Sequence, residues 1–221
     1  MHYFTDGDEM KITKVRFPER EYFKLPCMKR QIVLHHTVSS SGEFVDDWWQ
    51  SDNGTQRVAT AFIIDKDGSI VQLFEPENWA YHIGKGSSVK DNKQSIGIEI
   101  VNEGALQRQA DGKTMLWMNG KKEYPGSYTA LKQPWRGYSY FADYSERQYD
   151  TLSELITTLC GKFGIPKKVI ASYLFSETYR QFEGVVSHHN LRKDKSDVSR
   201  AFDFGKLIGM EKVEVTTQPI L

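Results

Sequence analysis

The chain has 221 residues, 39% apolar and 13% aromatic, enough for a buried core and against disorder as a global description. Its 29 basic and 29 acidic residues cancel, which excludes a broad basic field for nucleic acid and means that a charged substrate must be met locally. No apolar run approaches the about 18 residues that would suggest a membrane span.

The opening segment, MHYFTDGDEMKITK, is polar and lacks the apolar stretch of a secretory signal. The protein is therefore expected to be made in the cytoplasm without a signal peptide, and to insert in no membrane. Residues 1–28 are expected to form an extension packed on a single domain of residues 29–207, with 208–221 as a tail that fades into a polar end. QIVLHH (31–36) is a short apolar run that suits a central strand. If Ile32 and Leu34 face one side of it, His35 faces the other with Val33, and His36 returns to the first. A short helix is expected to carry Phe44 to Trp49. ATAFIIDKDGSIVQLF (59–74) places two β-rich runs around Asp67-Gly68, a hairpin signal. SIGIEIV (95–101) reads as a buried strand with Ile96, Ile98 and Ile100 on one face and Gly97, Glu99 and Val101 on the other.

The stretch 103–144 has no clean period. It is expected to be an inserted surface excursion with room for a small hairpin, packed by Trp117 and Trp135 and bordering a substrate groove. A helix over 145–163 follows from the capping-box spacing of Ser145 and Gln148 and from Tyr149, Leu152, Ile156, Leu159 and Phe163 at helical intervals; Gly164 and Pro166 stop it. The two cysteines, Cys27 and Cys160, are far apart and form no CxxC pair. Their pairing cannot be read from sequence, but the position of Cys160 in an apolar helical stripe favours a buried free thiol.

Four of the six histidines fall in two pairs, His35-His36 and His188-His189, and Asp197 follows the second pair by eight residues. Two imidazoles and a carboxylate can hold Zn²⁺ at about 2.0–2.2 Å and leave a fourth position for water. None of the compact zinc-binding spacings is present, so spacing alone carries little weight. Alternation admits only one member of each pair to a common metal and does not choose which. Glu99 stands in the middle of an otherwise apolar strand. A buried carboxylate is costly unless it is paired, hydrogen-bonded, near a cation or protonated; a poised general base is one outcome, and an edge strand with Glu99 facing water is the other reading.

IVLHHTVSS, the hairpin ATAFIIDKDGSIVQLF, WAYHIGKG, SIGIEIVN and SHHNLRKDKSD, in that order, resemble the zinc-dependent N-acetylmuramoyl-L-alanine amidases. That family includes amidase-type phage lysozymes, cytosolic amidases of wall recycling and animal peptidoglycan-recognition proteins. The resemblance runs from about Lys29 to Gly205, and WRGYSYFADYSERQYDTL and KDKSD look most like phage endolysins. It implies an α/β fold, a mixed central β-sheet flanked by helices, to which the elements above conform. It also implies Zn²⁺ on His35, His188 and Asp197, Glu99 as acid/base, and Lys195 steadying an oxyanion. Trp79 and His82 would wall the substrate groove. Thr60 stands where some relatives carry a tyrosine, and His36 neighbours the first ligand on the substrate side. Val198-Ser199 replaces a Pro-Gly common after the Asp ligand.

The implied reaction is hydrolysis of the amide between N-acetylmuramic acid and L-alanine in bacterial peptidoglycan, by a monomer released to the wall during host lysis. The alternatives are a cytosolic amidase recycling muropeptides and a non-catalytic peptidoglycan-binding module.

Overall fold

In the computed structural model, residues 10–51 and 55–213 are described. The polar opening MHYFTDGDE and the last eight positions of the expected tail lie outside them. In chain order the strands are Ile12–Lys14 (β1), Gln31–His36 (β2), Phe62–Ile64 (β3), Ile70–Gln72 (β4), Ser95–Ile100 (β5), Ala105–Arg108 (β6), Met115–Trp117 (β7), Lys122–Glu123 (β8), Tyr128–Trp135 (β9), Tyr138–Ala142 (β10), Lys168–Ile170 (β11), Gly184–Ser187 (β12) and Glu211–Val213 (β13). The helices are Glu43–Gln50 (α1), Val89–Lys93 (α2), Glu146–Phe163 (α3) and His188–Leu191 (α4).

Among the described residues, eight strands form a mixed sheet in the order β1-β4-β3-β5-β2-β12-β11-β13. Its centre is parallel: β2 runs between β5 and β12, with Leu34 opposite Ile98 and His35 opposite Glu99. Every residue of β2 is buried, as expected of a parallel strand covered on both faces. The hairpin read from 59–74 is β3 and β4, antiparallel, with Gly68 at φ 85° in the turn, where a side chain would be strained.

Helix α3 covers one face of the sheet with Tyr149, Leu152, Ile156 and Leu159 buried. Its start is fixed by the expected capping box: Ser145 Oγ accepts from the Gln148 amide at 3.1 Å, and Gln148 Oε1 accepts from the Ser145 amide at 3.0 Å. Gln148 Nε2 also donates to Val101 O at 2.8 Å, tying the helix to the exit of β5. Gly164, at φ 67°, ends it. On the opposite face a smaller cluster gathers Val33, Val186, Ile83 and Leu191. His35 projects on the side of Val33. Both cysteines are free, and Cys160 is buried.

Two expectations are corrected. The 103–144 stretch is a second sheet, antiparallel, in the order β8-β7-β6-β10-β9, with its own core of Leu106, Met115, Trp117, Tyr124 and Ala142. Four of its five strands have only two to five residues, and the eight-residue β9 is largely exposed, carries Pro134 and pairs with β10 through a register shift between Tyr138 and Tyr140, so no apolar alternation builds up along the sequence. Trp117 packs this core, whereas Trp135 leaves it for Phe141, Tyr173 and His189. Nor does the chain fade after Lys206: β13 pairs parallel with β11 and edges the main sheet, as β1 does at the other end. Three-residue edge strands are too short to register as periodic, and short edges also limit unwanted pairing.

Candidate active site

Three strands deliver the site. β2 and β12 are parallel neighbours, so His35 near the end of one and His188 just past the end of the other arrive side by side. The loop after α4 then returns to the same place, because the His189 amide donates to Asp197 O at 2.9 Å. His35 Nδ1 lies 3.0 Å from His188 Nδ1, and Asp197 Oδ2 lies 2.8 Å from His188 Nδ1 and 3.2 Å from His35 Nδ1. All three residues are buried. Among the described residues this is the one group of three His, Cys, Asp or Glu side chains able to hold a common ion.

The donor set fits Zn²⁺. Ligands about 2.0–2.2 Å from a tetrahedral ion stand roughly 3.3–3.6 Å from one another, so the separations of 2.8–3.2 Å seen here need to open by only a few tenths of an ångström. His188 Nε2 faces Ile83 O at 2.7 Å, and a carbonyl can only accept, so Nε2 carries a proton. Its Nδ1 faces the Asp197 carboxylate at 2.8 Å, a contact that calls for a cation or a shared proton between the two atoms. Burial and the neighbouring His188 push the His35 imidazole down to about 4, which keeps it in the neutral, ligating form. Burial alone would raise Asp197, but His188 and His35 hold it well below the usual carboxylate range.

Glu99 stands across the β2–β5 ladder from His35. Its Oε2 is buried without a hydrogen-bond partner. Burial, reinforced by Asp197, pushes its carboxyl well above the ordinary value, and Lys195 opposes that push. Lys195 is half-buried in the α4–Asp197 loop, and its charge also acts on His35. A cavity of about 510 Å³ opens on Glu99, walled by Val38 and Trp48 on one side and by Trp117, Met118 and Lys122 of the second sheet on the other. A slightly larger hollow, about 550 Å³, lies under the N-terminal segment and touches none of these site residues.

Of the four residues expected on the substrate side, Trp79, Thr60 and His36 are buried, and His82 is half-buried against His35. Trp79 is buried, stacked on Phe23 with ring centroids 3.9 Å apart. Thr60 is buried, its Oγ1 donating to Phe62 O at 3.0 Å. His36 is buried on the other face of β2, where its Nδ1 meets Tyr144 OH at 2.9 Å; strand alternation turns it away from His35. His82 adjoins His35, with one ring nitrogen 3.0 Å from His35 Nε2 and the other 2.8 Å from Ser95 Oγ. The tryptophans that line the cavity at Glu99 are Trp48 and Trp117. Trp48 was legible in part: of two adjacent tryptophans on a short amphipathic helix, one must face out, and here Trp49 is the core residue. The Val198-Ser199 turn is anchored by the Ser199 amide donating to Tyr144 OH at 3.3 Å.

Residues 27–200 match the family model described as N-acetylmuramoyl-L-alanine amidase. The fold is similar to that of a selenomethionine derivative of AmpD, with TM-score 0.53 and 16% identity over 93% of this chain and 97% of that one. It is similar to N-acetylmuramoyl-L-alanine amidase LysC from Clostridium intestinale URNW, with TM-score 0.52 and 16% identity over 89% and 94%. The endolysine LysCS from the same organism gives TM-score 0.52 and 16% identity over 91% and 95%. At these identities the likeness is one of fold. No curated protein sequence matches the chain.

Proposed function

The chain belongs to the N-acetylmuramoyl-L-alanine amidase family, and we propose that it cleaves its peptidoglycan amide as a zinc hydrolase whose metal is held by His35, His188 and Asp197. The observation that carries this reading is the buried, unpartnered Oε2 of Glu99, on the residue paired with His35 across the β2–β5 ladder, together with the convergence of His35, His188 and Asp197. A Zn²⁺ bound there supplies Lewis acidity, drawing the pKa of a water from about 15.7 towards about 7. Glu99 takes the proton of the water that attacks the lactyl carbonyl, and gives one to the amine of L-alanine as the C–N bond breaks. Its raised pKa suits that exchange, since the group must hold a proton between the two steps. Lys195 sets a positive charge near the developing oxyanion. The ligands, the glutamate and the lysine come from one chain, so a monomer is sufficient.

Replacing Glu99 by Gln should lower amidase activity about 10²–10⁴-fold while metal analysis still finds one zinc per chain. The fragments released by the parent protein should carry the free amine of L-alanine by mass spectrometry. Most of the activity surviving in a zinc-loaded Glu99→Gln protein would remove Glu99 from the chemistry.

The open groove rimmed by Trp48, Trp117 and Met118 supports a polymeric substrate and hence a lysis role of the endolysin kind. Turbidity loss of purified walls should then outpace turnover of soluble muropeptides. The reverse preference would favour a recycling enzyme.

A further inference from the structure

His82 and Ile83, adjacent in the chain, each meet one of the two ligand histidines. Ile83 O faces His188 Nε2 at 2.7 Å, and His82 Nδ1 faces His35 Nε2 at 3.0 Å with the two rings edge to face. The polarity of the second contact can be traced from its far end. Ser95 Oγ gives its single proton to Asp91 O at 2.8 Å, so towards His82 Nε2 it can only accept. The neutral His82 ring therefore carries its proton on Nε2 and presents a bare Nδ1. His35 must donate from Nε2, which leaves its own Nδ1 bare. That atom faces His188 Nδ1 and Asp197.

The step that holds both ligands is itself clamped. Buried Asn92 accepts the amides of His82 and Ile83 on Oδ1, at 3.0 and 3.2 Å, and donates from Nδ2 to Ser88 O and Ser87 Oγ at 2.9 and 3.0 Å. We infer that His82-Ile83, braced by Asn92 and Ser95, is a positioning element that fixes both ligand histidines in the Nε2–H tautomer and so aims two Nδ1 lone pairs at one point. The inference rests on the metal reading only for what those lone pairs bind; the tautomers belong to the metal-free protein. Outer contacts of this kind are worth about 10–100-fold in metal affinity.

Imidazole ¹⁵N NMR of the metal-free protein near neutral pH should show His35 and His188 both protonated on Nε2, with no proton held on the Nδ1 of His35 once zinc is added. In His82→Leu, His35 should become a mixture of tautomers, and zinc affinity measured by chelator competition should fall about 10–100-fold. His82→Gln, whose side-chain carbonyl can accept from Nε2–H, should keep most of that affinity, and Asn92→Ala should disturb both ligands. An unprotonated Nε2 on His35 in the parent protein, or zinc affinity in His82→Leu within twofold of the parent, overturns the inference. A parent protein with both Nε2–H tautomers in place that binds no zinc would leave the positioning element standing and sink the metal reading instead.

Discussion

Adjacent imidazoles on β2 meet different chemistry because a strand sends successive side chains to opposite faces. His35 enters the acceptor cluster, while His36 is spent on Tyr144, whose hydroxyl also receives the Ser199 amide. Two opposed influences bear on the proton of Glu99: burial and Asp197 raise its pKa, and Lys195 lowers it. Removing the cation should therefore leave Glu99 protonated up to a higher pH. Since the base form is the one that accepts a proton from water, the acid limb of kcat/KM should shift to higher pH in Lys195→Met. A limb that stays in place or moves down would show that the Lys195 charge does not reach Glu99. The ligand pairs themselves were only half legible in the sequence. Alternation says that one histidine of each pair can reach a shared point, but the choice depends on which face of β2 lies under α3, a tertiary fact.

At the scale of elements, the β2–β5 ladder sets the His35–Glu99 juxtaposition, and it is kept open by a missing side chain. A Cβ built at Gly97 would lie 2.7 Å from Thr60 Cγ2 and 3.1 Å from His82 Cγ. Gly97→Ala should destabilise the protein by about 1–3 kcal/mol through overpacking, and adding Thr60→Ser, which deletes the clashing methyl, should recover much of that. Denaturant unfolding of the two single variants and the double variant checks this, and additive effects would mean that the contact is not the cause. This pocket also explains which elements the sequence disclosed. β2, the β3–β4 hairpin, β5 and α3 are long enough or apolar enough for period and caps to show, and all four stand as expected. The second sheet did not show because its strands are half-polar and, apart from β9, short, and what stabilises them is cross-strand contact rather than local pattern. The same limit hid the outer layer of the site. The Ile83 carbonyl has no side-chain signature at all, and Ser95 and Asn92 look like ordinary strand-edge and helix residues until the loop of His82 is folded onto them.

For the molecule as a whole, the site is a liability in acid. Burial holds His35 and His36 down to about 4, and His82 well below its ordinary value. In the unfolded chain these imidazoles titrate near about 6.5. As pH falls below that value the unfolded state takes up protons that the folded state refuses, so stability declines until the folded-state values are reached near 4 for His35 and His36. A depression of this size corresponds to about 3 kcal/mol per histidine, against a total of roughly 5–15 kcal/mol for a typical domain. Zinc acts in the opposite direction at neutral pH, adding about 2.7 kcal/mol when present at one hundred times its Kd. Because its ligands must remain deprotonated, that gain should fade over the same acid range. Calorimetry should therefore find that the melting temperature of the chelator-treated protein falls between about pH 6.5 and 4, and that the increment from added zinc shrinks alongside it. A melting temperature flat across that interval would mean that the buried imidazoles already carry protons in the fold, and a protonated pair at His35 and His188 would leave no lone pairs for a metal to meet.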